Sequence, residues 1–368
     1  MRILFDHQIF TWQRYGGISR YYYELITRLA KEPGVDVSLF QGMYINQYGL
    51  ERYRESLANY WGMQRPAIRK TNKIFSSVNK LLFPGFMRRA QPDVYHATYY
   101  AKQLVNFSGA RIITIYDMIH ELFPSAYPWY DQTIRNKKQA VERADGIICI
   151  SEATKQDVMK MLNVPENKIR VIYLGNSLTT TASGPSMIDG RYILYVGQRS
   201  GYKNFELLAN AVSQSDKIRN DFRIVCFGGG PFTKAEQEHF VSLGIGSRVQ
   251  QVSGHDDVLA NLYKYAAAYV CTSLYEGFGI PTLEAMQSGC PVLVGQTSSL
   301  PEVAGTAGMY FDPREIEDLS NKLELMLLNE EKRKNMITLG IARAAMFSWD
   351  RCAKETLEFY KGTKRAEF

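Results

Sequence analysis

Short apolar runs alternate with longer stretches in which apolar residues recur every three or four positions, and the whole alternation occurs twice along the chain. Runs of three to six residues are too short for helices and read as strands buried on both faces, whereas the intervening stretches have the helical period. The first series is Ile3 to Asp6, Val35 to Phe40, Val94 to His96, Ile112 to Tyr116, Ile147 to Ile150 and Ile169 to Tyr173. The second begins at Tyr192 to Val196 and continues with Phe222 to Phe227, Val249 to Val252, Ala268 to Thr272 and Val292 to Val294. Strands alternating with helices predict an α/β fold with parallel, doubly wound, Rossmann-like sheets. A chain of 368 residues exceeds one core, so two such domains are expected. Residues 1–176 form the first and 191–348 the second, joined by a polar linker over 177–190, with a C-terminal helix at about 349–368 packing back on the first. Ligands of such sheets bind beyond the carboxyl ends of the strands, which puts the expected active site in a cleft across which the two domains face each other.

Composition narrows the class. A hydrophobic content of 45% with 22% charged residues belongs to a packed globular protein rather than a disordered one. Cysteines 149, 226, 271, 290 and 352 form no C-x-x-C pair, and three of them lie inside strand-like runs, as reduced core residues of a cytoplasmic protein do. The start Met1 to His7 is interrupted too early for a signal peptide, and no apolar run approaches membrane-spanning length. No His/Cys spacing suggests a metal centre.

The stretch with the most chemistry is Tyr275-Glu276-Gly277-Phe278-Gly279-Ile280-Pro281-Thr282-Leu283-Glu284-Ala285. Two carboxylates flank a glycine-rich turn and a helix start. The glycines let main chain approach a ligand, and the free N–H groups and positive dipole of the helix attract phosphate oxygens. After the strand Tyr192 to Val196 comes Gly197-Gln198-Arg199-Ser200-Gly201-Tyr202-Lys203-Asn204, where two cations four residues apart could neutralise a diphosphate. Gly16-Gly17 precedes a helical stretch, Ile18 to Lys31. Gly228-Gly229-Gly230 lacks the G-x-G-x-x-G spacing of a dinucleotide fingerprint and a following helix, and reads as a loop lining a base pocket.

The Glu276–Glu284 segment, with Cys290-Pro291-Val292 and Pro301-Glu302 after it, resembles the E-x7-E signature of the retaining glycosyltransferases of family 4, which share the two-domain GT-B fold, and in particular the bacterial polysaccharide and O-antigen mannosyltransferases. The resemblance covers nearly the whole chain. It implies that Glu276 and the main chain of Gly277, Phe278, Gly279 and Ile280 contact the sugar, that Glu284 holds the ribose, and that Arg199 and Lys203 hold the diphosphate. Gly17 would approach the donor phosphates, and the loop Val252 to His255, with Gly254, would contact the base. The expected catalytic set is Glu276, Arg199, Lys203, Asp117 and His120. Many family members carry His-Asp where this chain has Tyr116-Asp117, so His120, four residues later, is the candidate to replace that histidine. The leaving phosphate takes the acceptor's proton on the same face, so neither a protein nucleophile nor a metal or other cofactor is expected.

The charge is uneven. From Glu51 to Ala90 nine basic residues (Arg52, Arg54, Arg65, Arg69, Lys70, Lys73, Lys80, Arg88, Arg89) meet only Glu51 and Glu55, which accounts for the whole net charge of +7. Ile68, Ile74, Phe75, Val78, Leu81 and Leu82 recur at near-helical spacing until Phe83-Pro84-Gly85-Phe86, so 65–89 is expected to contact anionic membrane, at the inner face of the cytoplasmic membrane, where a glycan or lipid-linked acceptor would reside. A surface helix covering its own domain is the alternative for this segment. A nucleotide-sugar 2-epimerase of the same fold is the alternative enzyme. A nucleic-acid-binding protein would explain the basic segment but not the acidic pair, and no nucleic-acid partner is expected. GDP-mannose is the first expected donor and a UDP-sugar the second. The sequence leaves the linkage and the oligomeric state open.

Overall fold

The computed structural model describes residues 1–67, 71–100, 107–127, 131–176, 178, 182 and 184–363. It divides into two compact units, Met1–Gly175 with the C-terminal helix Trp349–Gly362, and Asn176–Ser348. The strands of the first unit are β1 (Arg2–Phe5), β2 (Asp36–Tyr44), β3 (Asn59–Gln64), β4 (Val94–Ala97), β5 (Ala110–Ile115), β6 (Gly146–Cys149) and β7 (Ile169–Val171). They form one parallel sheet in the order β3-β2-β1-β4-β5-β6-β7. The second unit contributes β8 (Arg191–Val196), β9 (Phe222–Phe227), β10 (Val249–Val252), β11 (Ala268–Cys271), β12 (Val292–Gly295) and β13 (Gly308–Phe311), also all parallel, in the order β10-β9-β8-β11-β12-β13.

Burial explains why these runs are strands. Leu4, Phe5, Ile147, Ile148, Val270, Leu293 and Val294 are fully covered, as both faces of a parallel sheet must be. β3 and β13 are edge strands that hydrophobic patterning misses. β3 reads Asn-Tyr-Trp-Gly-Met-Gln and is only partly buried, and β13 alternates half-buried and buried positions over four residues. Each sheet reverses its winding at one place, between β1 and β4 in the first unit and between β8 and β11 in the second, and the loops leaving these strand pairs are where a doubly wound sheet receives ligands.

Two segments differ from their sequence readings. The basic stretch forms one helix, Asn72–Ala90, that runs through Pro84 instead of stopping there. Its buried residues are Asn79, Phe83, Met87 and Ala90, packed on Leu4, Phe40 and Tyr95, while Ile74, Leu81 and Leu82 point away with exposures of 64%, 80% and 41%. Ile68, Arg69 and Lys70 lie outside the described residues. The described part of 177–190 is laid along the helix Asp256–Tyr265: Leu178 and Ile188 are buried, and the Asn261 carboxamide donates to Pro185 O at 2.9 Å and accepts from Met187 N at 3.1 Å. All five cysteines are buried and unpaired, and no helix of the described residues is long and apolar enough to cross a membrane.

The C-terminal helix is held to the first unit by aromatic and polar contacts. Trp349 packs on Tyr21, Arg28 donates to Asp350 at 2.6 Å, and Tyr360 Oη lies 2.5 Å from His96 Nδ1. His96 is fully buried between Tyr22, Thr114 and Tyr360, and burial lowers its pKa to about 3. His7 is lowered to about 4, again chiefly by burial, which the charge of Asp6 only partly offsets. Both stay neutral in the folded chain at pH values where an unfolded histidine gains a proton. Stability should therefore fall as pH drops below about 6.5, by roughly 2 kcal/mol per histidine by pH 5. Denaturation midpoints between pH 7 and 5 check this: His96→Gln should show a shallower pH slope than the native chain, and an unchanged slope contradicts the assignment.

Candidate active site

Lys203 and Glu276 are 73 residues apart in sequence but follow β8 and β11, which are neighbours in the sheet, and their side chains meet at the place where the winding reverses. The Lys203 ammonium donates to Glu276 Oε1 at 2.6 Å, and the Ser273 hydroxyl donates to the same oxygen at 2.6 Å. The two loops are also joined through main chain. Thr272 Oγ1 donates to Lys203 O at 2.9 Å, and Leu274 N donates to Tyr202 O at 2.7 Å. The loop after β12 fixes the backbone of Glu276 from the other side: Glu276 N donates to Ser298 Oγ, and Ser299 Oγ donates to Glu276 O, both at 2.8 Å. Burial alone would lower the Lys203 pKa. The Glu276 carboxylate, with Tyr202 and Cys271, outweighs that and raises it above the ordinary lysine value, so the ammonium stays charged. Oε2 of Glu276 takes no bond from any described residue, which leaves a fixed carboxylate oxygen for a ligand hydroxyl.

Directly after this pair the chain turns at Gly279, whose φ of 92° lies in the left-handed region, and enters the helix Ile280–Gln287 with Pro281 in its first turn. Glu284 lies one turn along, where its Oε2 accepts from the buried Tyr263 hydroxyl at 3.2 Å. Thr282 Oγ1 is buried in the first turn without a hydrogen-bond partner. The segment Glu276 to Glu284 thus collects a carboxylate, a glycine turn, the free amides of a helix start and a second carboxylate on one stretch of chain.

Arg199 does not join Lys203. Its guanidinium is bonded to Glu236 Oε1 at 2.6 Å, to Gly228 O at 3.3 Å and to Pro231 O at 3.2 Å, and lies over the Phe232 ring. Although burial would raise the Glu236 carboxyl, its bonds from Arg199 and from Thr233 lower it. Glu236 also closes a capping box with Thr233 on the helix Lys234–Ser242, so a helix does follow the triple glycine, contrary to the sequence reading. A Cβ at Gly229 would come within 2.6 Å of Arg199 Nη1 and 2.8 Å of Gly197 O, which explains the glycine there. Gly254 follows the edge strand β10, two strands from β8.

In the first unit, Asp117 and His120 follow β5, and Gly17 opens the helix Gly17–Leu29 behind Gly16. Asp117 Oδ1 accepts from Ile119 N at 3.1 Å, and the His120 ring packs on Tyr127. Burial lowers the His120 pKa, and the charge of Lys137 adds to this against the opposing carboxylates of Asp117 and Glu121. Sequence reasoning missed Lys137 and Glu121. The Lys137 ammonium is 1% exposed and donates to Glu121 Oε2 at 2.8 Å and to Asp117 O at 2.9 Å, locking the loop that carries His120. Ser273, Ser298 and Tyr263 were missed as well. None of them lies in a recognisable motif: Ser273 acts within the loop of Glu276 itself, Ser298 from the loop after β12, and Tyr263 from a neighbouring helix.

Family models and relatives agree with this geometry. The model described as Glycosyltransferase Family 4 matches residues 15–179 and that for Glycosyl transferases group 1 matches 183–343, so that between them they cover both units. The chain belongs to the family 4 glycosyltransferases. It is 27% identical to the O-antigen chain mannosyltransferase B of Escherichia coli over 368 residues, 94% of this chain and 96% of that one. It is 31% identical to the O-antigen chain mannosyltransferase RfbU of Salmonella typhimurium over 53% of this chain and 56% of that protein. Among solved structures, Anabaena Alr3699/HepE in complex with UDP and glucose superposes with a TM-score of 0.73 at 17% identity, covering 98% of this chain and 100% of that one. WaaG, a glycosyltransferase involved in lipopolysaccharide biosynthesis, gives 0.70 at 16% identity, again over 98% and 100%. The fold of this glycosyltransferase is GT-B.

The partners of Arg199 and Lys203 lead to different expectations for stability. Arg199→Ala leaves Glu236 without its cation and the Pro231 carbonyl without its donor, while Gly228 O keeps Gln251 Nε2 at 3.4 Å, and should destabilise the second unit by on the order of 3 kcal/mol. Lys203→Ala should cost less, since the Lys203 ammonium bonds only to Glu276, which keeps Ser273, whereas the Arg199 fork also holds two carbonyls. Urea denaturation of the two variants checks this ordering, and a larger loss for Lys203→Ala contradicts it.

Proposed function

We propose that this glycosyltransferase moves a hexosyl group, with retention of anomeric configuration and without a metal, from a nucleotide diphosphate sugar to a hydroxyl of a glycan or lipid-linked saccharide. GDP-mannose is the first donor, because the two relatives aligned above are named O-antigen mannosyltransferases, and UDP-hexoses are the second. The observation that carries the reading is the Lys203–Glu276 pair at the reversal of the second sheet, next to a helix start. Lys203 and the amides of the helix Ile280–Gln287 receive the diphosphate, Glu276 Oε2 accepts from sugar hydroxyls, and Glu284 accepts from the ribose.

As the bond from the anomeric carbon to the phosphate oxygen breaks, its electrons pass to the leaving diphosphate. The acceptor hydroxyl closes on the same face, and its proton goes to that phosphate oxygen. The charge on the diphosphate grows during this step, so Lys203 stabilises the transition state more than the bound donor. Asp117 and His120, on the loop held by Lys137, are the residues of the first unit assigned to the reacting sugar.

Proton NMR of products formed from GDP-mannose in the presence of EDTA tests this. An α-linked product should accumulate from the α-linked donor, and a β-linked product, or activity that EDTA abolishes, overturns retention or metal independence respectively. Glu284→Ala should weaken nucleoside diphosphate binding by about 1.5–3 kcal/mol in calorimetry, whereas unchanged affinity leaves Glu284 a partner of Tyr263 alone.

The outer face of the helix Asn72–Ala90 is assigned to an anionic membrane. Ile74, Leu81 and Leu82 are exposed opposite the core-facing Asn79, Phe83 and Met87, and Lys73, Lys80, Arg88 and Arg89 are exposed on the same helix. Each basic residue at such a surface contributes about 1 kcal/mol, an attraction that salt screens. Reversing these four to glutamate should abolish sedimentation with phosphatidylglycerol vesicles at low ionic strength. Failure of the native chain to sediment there would point instead to a soluble acceptor.

A further inference from the structure

Arg65 is a buried cation without a counter-ion. It directly follows β3, is 7% exposed, and donates only to neutral oxygens: to Asn72 Oδ1 at 2.7 Å and Thr11 O at 3.4 Å from Nη2, and to Pro66 O at 3.2 Å and Thr71 Oγ1 at 3.5 Å from Nη1. Its guanidinium lies 4.3 Å from the centre of the Phe75 ring, and Nε is buried with no partner. Among the described residues no carboxylate lies within ion-pair distance. Burial lowers the pKa of this guanidinium and no neighbouring acid offsets it. A charge held out of water is costly unless an opposite charge is brought to it.

The surroundings are built to admit such a charge. Arg65 lines an open pocket of about 530 Å³ together with Arg14, Gln47 and Gln64, and among the described residues no acid lines it. Arg14 is exposed and makes no ion pair among the described residues, and its carbonyl is fixed by Gln47 N at 3.1 Å and Asn46 Nδ2 at 3.3 Å. The free guanidinium fork of Arg14 and the carboxamides of Gln47 and Gln64 fit the oxygens of a phosphate ester, while Arg65, whose Nη hydrogens are already engaged by protein oxygens, supplies its uncompensated charge. The pocket is also tied to a helix with an exposed apolar face. Arg65 bonds to Asn72, the first residue of the helix whose outer face exposes Ile74, Leu81 and Leu82, while Trp12 and Tyr15, exposed on either side of Arg14, offer aromatic faces to sugar rings.

We infer that the Arg14–Arg65 pocket binds the phosphate or diphosphate that joins the acceptor saccharide to its lipid. The inference rests on the lipid-linked acceptor proposed above and gives that acceptor a site in the first unit, separate from the Lys203–Glu276 site of the donor diphosphate. The phosphate supplies the counter-ion Arg65 lacks. Its lipid chain lies beside the outer face of the helix Asn72–Ala90, and its sugars lie toward Trp12 and Tyr15.

Calorimetric titration of the full chain with inorganic pyrophosphate at low ionic strength tests the pocket, with Lys203→Ala as the background so that the donor loop contributes little. Arg14→Glu, which alters an exposed side chain and leaves the core intact, should weaken pyrophosphate binding at least tenfold. Arg65→Gln should do the same, with Arg65→Lys recovering part of the loss. Unchanged affinity in Arg14→Glu overturns the site. The source of the phosphate is then decided with vesicles. Arg14→Glu should lose binding to phosphatidylcholine vesicles doped with a long-chain alkyl diphosphate while keeping binding to phosphatidylglycerol vesicles. Equal loss on both would mean that the pocket reads bulk headgroups, and would overturn its assignment to the acceptor. If pyrophosphate binds in an Arg14-dependent way but the enzyme transfers no sugar to lipid-linked saccharides, the anion site stands and the proposed acceptor fails.

Discussion

A lysine ammonium kept charged in a partly buried loop needs a carboxylate fixed beside it, and in this protein that requirement joins segments 73 residues apart. Lys203 and Glu276 can meet because β8 and β11 are adjacent and parallel, so both side chains emerge from the same end of the sheet at the point where its winding reverses. The arrangement is supported from three directions: Ser273 shares the carboxylate oxygen, Thr272 and Leu274 bond to the lysine loop, and Ser298 and Ser299 hold the backbone of Glu276. Such support fixes a polar group before a ligand arrives, and fixed dipoles and charges are what stabilise charge that develops during a reaction.

A second buried pair organises the first unit. Lys137 and Glu121 are both almost fully covered, and the lysine also takes the Asp117 carbonyl, so the loop carrying Asp117 and His120 has little freedom. Removing one partner of such a pair leaves a charge buried without compensation, which is why the loop geometry depends on a residue in the following helix. The helix Asn72–Ala90 shows the opposite economy, since its inner face is committed to the core at Phe83 and Met87 while its outer face leaves three large apolar side chains in solvent.

Much of the fold was legible because parallel strands buried on both faces must be continuous apolar runs, as Ile147 to Cys149 and Val292 to Val294 are. The edge strands β3 and β13 were not, because β3 carries Asn59, Gly62 and Gln64 and β13 is four residues long, and each needs to bury only part of its surface. Pro84 misled as a helix stop: a proline lacks the N–H, but packing of Phe83, Met87 and Ala90 on the sheet carries the helix past it. At the site, the acidic pair and Lys203 could be singled out because a short motif holds each in a strand-to-helix loop. Ser298, Tyr263 and Lys137 could not, since their roles come from what the sheet order and helix packing set beside them. Arg199 is the instructive difference. Its expected role beside Lys203 at the diphosphate came from the resemblance, while its contacts with Glu236 and the carbonyls of the glycine loop belong to no motif and become visible only in the fold.

The central claim is that the nucleotide end of the donor is held in the second unit by the Lys203 loop and the Glu276 to Glu284 segment. Hydrogen exchange measured with and without GDP tests it most directly, because the amides that receive the diphosphate are backbone groups reported peptide by peptide. The account predicts slower exchange in peptides spanning 197–206 and 273–287, and loss of that protection in Lys203→Ala. Protection confined to peptides of the first unit, or unchanged exchange at 273–287 under saturating GDP and UDP, would contradict it.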